Sequence, residues 1–104
     1  PEPVHEWCYY YEKAALARQQ GDWAEVVRLG DEAEALGLRP SDRVEWMPFV
    51  QAYAYLGREE RARGIATILY EVPYLRQQAC QAAQSAAPAG FEAGQQMLQG
   101  VFCP

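Results

Sequence analysis

Cysteine and histidine are the residues of this chain that could hold a metal or react as thiols. The three cysteines, Cys8, Cys80 and Cys103, show no CxxC spacing, and the only histidine, His5, lies three residues before Cys8. A structural zinc site needs about four such ligands. No metal site is therefore expected. The cysteines are interpreted as buried or terminal thiols; the alternative is a Cys80–Cys103 disulfide, because both residues fall in the last predicted pair of helices.

Two pairs of acidic residues could supply the acid–base chemistry of glycoside hydrolysis. They are Glu6 with Glu12 and Asp31 with Glu32. On exposed helix faces such pairs are usually solvated. The sequence contains no phosphate-binding glycine loop, no HExxH and no GxSxG motif. We predict that the chain is not an enzyme and has neither a catalytic residue nor a cofactor.

The composition excludes two classes of partner. Of 104 residues, 50% are hydrophobic and 12% aromatic, which favours one folded domain over residues 1–104. The net charge of -5 is spread along the chain without a basic stripe, so nucleic acid is not an expected partner. No apolar run reaches the roughly 20 residues of a membrane span, and no signal peptide is visible. Because the sequence begins at Pro1 without Met, we expect a segment of a longer chain.

Apolar residues at spacings of three and four predict an all-α domain of five to six helices, preceded by an extended lead-in over residues 1–5. Gly21, Gly37, Gly57 and Pro73 are the predicted breaks, because glycine adopts the left-handed conformation of a helix end and proline cannot continue a helix. The predicted helices span residues 6–20, 22–36, 42–57, 59–71, 74–87 and 91–100.

Pro48 falls inside the third predicted helix. Within a helix, proline removes one backbone hydrogen bond and presses on the carbonyl four residues before it, which here is that of Val44. A kinked helix is the favoured prediction. The alternative is a separate turn over residues 42–47, with the main helix starting near Pro48.

The third and fourth helices carry a pattern of large and small residues that resembles the tetratricopeptide repeat. The pattern is Trp46-x2-Phe49-Val50-x2-Tyr53, then Ala62-x3-Ala66, then Pro73. It departs from the repeat at Val50, where glycine is usual, and at Ala66, where phenylalanine is usual. The resemblance implies antiparallel helix hairpins stacked as a short right-handed solenoid.

A second copy of the pattern is found by aligning Gly21 with Gly57, which lie 36 residues apart, close to the ~34 of tetratricopeptide arrays. Every aligned pair is apolar: Tyr10 with Trp46, Ala14 with Val50, Ala17 with Tyr53, Val26 with Ala62, and Ala33 with Leu69. The predicted hairpins are 6–37, 42–72 and a capping hairpin 74–102.

In such stacks the first helix of each hairpin lines a concave groove that binds a protein or peptide. We therefore predict a non-catalytic interaction domain. Self-association and glycan binding, with Trp7, Trp23 and the tyrosines stacking on sugars, are the alternatives. The predicted groove residues are Tyr11, Ala15, Arg18, Gln19, Met47, Gln51 and Tyr55, with Cys8, Val44 and Ala54 beside them.

A narrower resemblance rests on residues 6–14, 17–23 and 48–54 (Glu-Trp-Cys-Tyr-Tyr-Tyr-Glu-Lys-Ala, Ala-Arg-Gln-Gln-Gly-Asp-Trp and Pro-Phe-Val-Gln-Ala-Tyr-Ala). These runs are similar to the C-terminal segment of multi-pass bacterial membrane proteins grouped with dolichyl-phosphate-mannose-type glycosyltransferases. The resemblance implies a domain outside the bilayer, with any transferase chemistry in a membrane part that is absent from this chain. From Gln77 onwards the chain lies outside this resemblance.

Overall fold

Six α-helices and one 3-10 helix follow one another in the computed structural model, which describes residues 5–85 and 87–104. No strand occurs in these residues, so the predicted all-α class is confirmed. None of their helices is both long enough and apolar enough to cross a bilayer. The elements are α1 (Trp7–Gln19), α2 (Trp23–Ala35), the 3-10 helix (Arg43–Trp46), α3 (Met47–Tyr55), α4 (Glu59–Tyr70), α5 (Pro73–Ala83) and α6 (Glu92–Phe102).

Three helices end in the same way, at glycines that the sequence singles out. Gly21, Gly37 and Gly57 have φ angles of 73°, 72° and 74°, which residues with a side chain rarely adopt. In each case the amide of the following residue reaches back to a carbonyl in the last turn, as in a Schellman motif. These bonds run from Asp22 N to Ala17 O (2.8 Å), from Leu38 N to Ala33 O (3.0 Å) and from Arg58 N to Tyr53 O (2.8 Å).

The kinked third helix was a wrong prediction, and the alternative of a separate turn is correct. Residues Arg43–Trp46 form the 3-10 helix, whose first residues are capped by Asp42 Oδ1 accepting from Val44 N–H at 3.1 Å. The α-helix begins only at Met47, so Pro48 lies in its first turn. The first amides of an α-helix have no partner within the helix, and proline is therefore tolerated there without a kink.

The core contains every pair that the 36-residue alignment matches. The two largest side chains among them, Tyr10 and Trp46, are 1% and 8% exposed. Trp46 lies with its ring centroid 5.3 Å from that of Trp7, whose indole Nε1 donates to Glu45 Oε1 at 2.8 Å. Ten aligned positions are therefore buried together: Tyr10, Ala14, Ala17, Val26, Ala33, Trp46, Val50, Tyr53, Ala62 and Leu69.

Helix α3 lies at the centre of the domain. It contacts α1 and α2 on one side, α4 and the 3-10 helix on another, and α6 on a third. Helix α5 packs against α4 and α6. Helix α6, rather than α5, therefore covers the remaining face of α3.

The C-terminal helices differ from their predicted bounds. Helix α5 ends at Ala83 instead of residue 87, and its last carbonyl accepts hydrogen bonds from the Gln95 and Gln99 side chains of α6, at 2.6 and 2.8 Å. Gln95 also donates to the carbonyl of Ser85. Helix α6 runs on to Phe102 rather than ending at residue 100. Residues 1–4 of the predicted lead-in and residue 86 of the predicted fifth helix lie outside the described residues.

The interpretation of the cysteines as thiols was wrong for two of the three. Cys80 of α5 and Cys103, directly after α6, form a disulfide with their Cα atoms 4.9 Å apart. Cys8 is free and exposed. The covalent link joins the end of α6 to α5 and so holds α6 beside α3. Sequence alone offered both possibilities, because nothing local fixes the distance between residues 80 and 103.

Candidate partner-binding surface

One open depression brings together four of the seven predicted groove residues: Tyr11, Ala15, Arg18 and Gln19. We call it the α1 depression. Its volume is about 630 Å³. Its walls come from the outer face of α1, the first residue of α2 and the first turn of α3. The complete lining is Tyr11, Glu12, Ala15, Leu16, Arg18, Gln19, Trp23 and Pro48.

The helical repeat of α1 explains why these side chains share one face. The neighbouring face of the helix carries the buried residues Trp7, Tyr10, Ala14 and Ala17. Residues three and four apart in a helix lie on the same side, so positions 11, 15, 18 and 19 form a second face, about 100° round the helix from that buried stripe. Within the depression Leu16 is 54% exposed, which leaves a large apolar side chain in contact with water.

Two predicted groove residues, Met47 and Gln51, are half-buried and lie beneath α6. Together with Arg18 they line a small cavity of about 20 Å³, which Leu98 and Phe102 of α6 close from the other side. Met47 and Gln51 therefore border a space too small for a partner segment. Arg18 lines both this cavity and the α1 depression.

Tyr55, the seventh predicted groove residue, is buried, with 9% of its surface exposed. Phe91 stacks on its ring at a centroid distance of 5.2 Å, and the Trp23 ring meets it edge-on at 4.8 Å. Its hydroxyl accepts a hydrogen bond from Gln51 Nε2 at 3.1 Å. Tyr55 is therefore part of the contact between α3 and the C-terminal helices, and a partner cannot reach it while Phe91 is in place.

Ala54 marks the closest approach of α6 to α3. A Cβ atom added to Gly94 of α6 would come within 2.4 Å of the Ala54 carbonyl oxygen. Only glycine permits this distance. Cys8 is exposed near the start of α1, and Val44 lines a different hollow, beside Tyr74. The face of α3 that matches the α1 depression is thus covered by the chain's own last helix.

Unpaired polar groups lie around the α1 depression. Trp23 is 7% exposed, yet its indole Nε1, a hydrogen-bond donor, has no acceptor among the described residues. The Gln51 Oε1 atom is also buried without a donor. None of the ion pairs within residues 5–85 and 87–104 includes Arg18. The depression therefore offers a partner the Arg18 guanidinium, whose capacity for ion pairing the domain itself does not use, whereas the Trp23 indole N–H is buried.

The best-developed polar network lies elsewhere, around Asp31 of α2. The Tyr53 hydroxyl donates to Asp31 Oδ1 at 2.7 Å, and the Arg58 guanidinium donates to both carboxylate oxygens at 3.1 and 3.2 Å. Partial burial by itself would raise the pKa of Asp31, but the hydrogen bonds from Arg58 and Tyr53 outweigh it, and the pKa is lowered. Burial and the bond to Asp31 raise the pKa of Tyr53. The network joins α2 to α3 and to the turn before α4.

The acidic residues that the sequence suggested for catalysis are either exposed or engaged in ion pairs. Glu32 pairs with Arg28 on its own helix at 3.2 Å, while its neighbour Asp31 belongs to the network just described. Glu6 and Glu12 are exposed. Among the described residues, no group of three or more His, Cys, Asp or Glu side chains is placed to hold a metal ion.

Sequence reasoning missed four residues of the α1 depression: Glu12, Leu16, Trp23 and Pro48. Leu16 could have been found, because it is an apolar residue of α1 outside the stripe formed by Ala14 and Ala17. Trp23 and Pro48 could not, because they reach the depression only through the packing of α2 and α3 beside α1.

In comparisons with known proteins, the chain matches no protein-family model, no curated protein and no solved structure.

Proposed function

We propose that this domain is a non-catalytic protein-interaction module of the tetratricopeptide type, which binds a segment of a partner protein in the α1 depression. The observation that carries the proposal is the depression itself. It is open, it is large enough for several side chains, and it includes Leu16 at 54% exposure. A water-exposed leucine beside half-buried Tyr11 and Arg18 combines apolar and polar contacts, as partner-binding surfaces do.

Support for the tetratricopeptide type comes from the two units related by 36 residues. Both first helices end at a left-handed glycine with the same backbone hydrogen bond, at Gly21 and at Gly57. All ten aligned core residues are buried. On this proposal the helices stack as hairpins 6–37, 42–72 and 74–102 of a right-handed solenoid, whose first helices line the groove.

The cellular context that we propose follows from the second sequence resemblance. The domain would be the extramembranous segment of a bacterial membrane protein of the glycosyltransferase group, and any transfer reaction would belong to the membrane-embedded part. The polar residues of this domain support a non-catalytic role, since its most connected carboxylate, Asp31, is engaged by Tyr53 and Arg58.

The alternatives receive different support. Glycan binding needs exposed aromatic rings on which sugars can stack. Trp7 and Trp23 are only 8% and 7% exposed, and the most exposed tyrosines, Tyr70 and Tyr74, at 44% and 67%, lie outside the α1 depression. This alternative therefore receives less support than partner binding. Self-association would use the same exposed leucine as partner binding, so the experiment below includes a measurement of oligomeric state.

The test is selection of peptides from a display library on the immobilised domain, followed by titration of the selected synthetic peptides. Trp23 lies in the lining, so its fluorescence reports occupancy of the depression. We expect Leu16→Arg to weaken peptide binding by at least about tenfold, because a charge replaces an apolar contact at the centre of the surface.

Leu36→Arg is the matched control, since Leu36 is 52% exposed but lies outside the depression. Peptides that bind Leu16→Arg as tightly as the unchanged domain would contradict the proposal. Light scattering over a range of concentrations separates the self-association alternative: a dimer that Leu16→Arg dissociates would replace partner binding by pairing of two copies.

A further inference from the structure

The two units related by 36 residues allow the open face of α1 to be compared with the matching face of α3. Counting back 36 residues from Met47, Gln51, Ala54 and Tyr55 of α3 gives four positions in α1. These positions are Tyr11, Ala15, Arg18 and Gln19, and all four line the α1 depression. The face of α1 that is open to solvent is therefore the counterpart of the face of α3 that α6 covers.

A helix of 11 residues occupies the α3 face. Helix α6 places Phe91, the residue at its N-terminal end, on Tyr55, and it presents Leu98 and Phe102 to the cavity beside Met47 and Gln51. The occupant of this surface is thus an amphipathic helix that lies with one apolar face down. The domain itself demonstrates which kind of element the surface accepts.

The α1 depression is continuous with that internal contact. Arg18 lines both the depression and the cavity beneath α6. Tyr55 touches Phe91 on one side and Trp23, in the lining of the depression, on the other. The depression therefore begins at the edge of the surface that α6 covers. A second helix placed there would extend the contact that α6 already makes with α3.

The two faces differ at the point of closest approach. In α3 this point is Ala54, where α6 has Gly94 and the backbones nearly touch. In α1 the same position is Arg18, whose long charged side chain keeps a second helix further away. A guanidinium taken out of water by a covering helix needs an opposite charge, because an unpaired buried charge is strongly destabilising. Arg18 has no such partner among the described residues.

The position of the other charge in the depression is compatible with an acidic partner. Glu12 precedes Arg18 by six residues, which is about 9 Å along the helix axis at 1.5 Å per residue. A partner carboxylate bound to Arg18 therefore stays away from Glu12.

We infer that the α1 depression binds an amphipathic helix of a partner protein, lying on α1 as α6 lies on α3, with an acidic side chain against Arg18. The inference rests on the proposed function and names the class of its partner.

The probe is a pair of peptide libraries of equal length, 11 residues as in α6. One is patterned as an amphipathic helix, with apolar residues at spacings of three and four and with Glu, Gln or Lys at the neighbouring positions. The other contains proline at its centre and cannot form the helix. Both are selected on the immobilised domain. We expect binders from the helical library only, enriched in Glu at one position and gaining helical circular dichroism when bound.

Two variants of the domain test the carboxylate contact. Arg18→Gln should weaken binding of the Glu-containing peptide about fivefold to tenfold, because a charge-assisted hydrogen bond is lost. Arg18→Glu should abolish it, and the same peptide with Glu replaced by Lys should restore binding to Arg18→Glu. Arg39→Gln, at an exposed arginine outside the depression, is the control and should bind as the unchanged domain does. Thermal melts establish that each variant is folded.

The outcomes separate this inference from the proposed function. If selected peptides are sensitive to Leu16→Arg but come from the proline library, or bind Arg18→Gln with unchanged affinity, the helical acidic partner is wrong while binding in the depression stands. If no selected peptide is sensitive to Leu16→Arg, both are wrong. Reversal of charge preference between Arg18 and Arg18→Glu would support the inference, since a merely structural role of Arg18 would not produce it.

Discussion

At the scale of single residues, Asp31 stands out because its carboxylate accepts three hydrogen bonds from side chains outside its own helix. Its carboxylate accepts from Tyr53, whose ring is fully buried, and from Arg58, whose guanidinium also lies 5.4 Å from the centre of that ring. The Asp31 carboxylate therefore satisfies two donors, the buried Tyr53 hydroxyl and the Arg58 guanidinium. Its charge is stabilised, and this stabilisation should be visible as a dependence of folding on pH.

We predict that Asp31→Asn lowers the free energy of unfolding at neutral pH by about 1 kcal/mol, because one ion pair and one charge-assisted hydrogen bond are weakened. The value is modest because the Asp31 side chain is 42% exposed and water screens the pair. The pKa of Asp31 is lowered in the folded state. Its contribution is therefore complete above the unfolded-state pKa of about 3.9 and is lost as the pH falls through the lower, folded-state pKa.

Urea unfolding of both proteins at a series of pH values measures this difference. It should be constant near neutrality and shrink below about pH 4. Glu60→Gln is the control, since Glu60 is exposed and takes part in none of the ion pairs of the described residues. A difference between Asp31→Asn and the unchanged protein that does not vary with pH would show that the carboxylate charge plays no part.

At the scale of elements, α6 determines which part of the helical surface stays open. It covers the face of α3 and is held there by contacts of several kinds. Phe91 stacks on Tyr55, Gln95 and Gln99 bind the last carbonyl of α5, and Gly94 allows the backbone of α6 to meet that of α3. The fit at Gly94 is the tightest of these, because the opposing atoms belong to the backbone and cannot move aside.

We predict that Gly94→Ala lowers the free energy of unfolding by about 1–3 kcal/mol, as overpacking of a close contact does. The added Cβ would lie 2.4 Å from the Ala54 carbonyl oxygen and 2.8 Å from the Tyr55 Cα. Gly100→Ala in the same helix is the matched control, because nothing lies within 4 Å of its added Cβ. Alanine there should be neutral or stabilising by up to about 1 kcal/mol, from helix propensity alone.

Denaturant unfolding and amide hydrogen exchange distinguish the two substitutions. In Gly94→Ala the amides of α6 should lose protection, while those of α1 and α2 keep theirs, since only α6 must shift. Equal stability of the two alanine variants would mean that α6 does not lie against Ala54 and Tyr55.

At the scale of the whole molecule, the domain measures 48 × 29 × 22 Å and is closed at its C-terminal end by a covalent link. The Cys80–Cys103 disulfide spans 23 residues and fixes the end of α6 to α5. Because α6 covers α3, this single bond helps to keep the covered and the open faces of the first helices distinct.

We predict that Cys103→Ser, in a Cys8→Ser background that removes the free thiol, lowers the free energy of unfolding by about 2–4 kcal/mol through the greater freedom of the unfolded chain. Denaturant unfolding with and without a dithiol reductant measures it. The reductant should reduce the stability of the Cys8→Ser protein to that of the double variant and leave the double variant unchanged. An equal response of both proteins to the reductant would contradict the role of the disulfide.

The sequence alone determined the helical class, the breaks at Gly21, Gly37 and Gly57, and the ten aligned core positions. These features are local: a left-handed glycine and a spacing of three and four act within a few residues of the chain. It also indicated four residues of the α1 depression, because they lie on the face of α1 next to its buried stripe.

Only the tertiary structure decided that α6 covers α3. This arrangement buries Tyr55, places Met47 beneath α6 and brings Cys80 to Cys103. The alternation of apolar and polar residues in α6 states that one face is buried but not against which helix. That choice depends on contacts between residues some 40 positions apart, such as Gly94 with Ala54, whose geometry no local pattern encodes. The α1 depression is therefore open because long-range packing places α6 on α3 and not on α1.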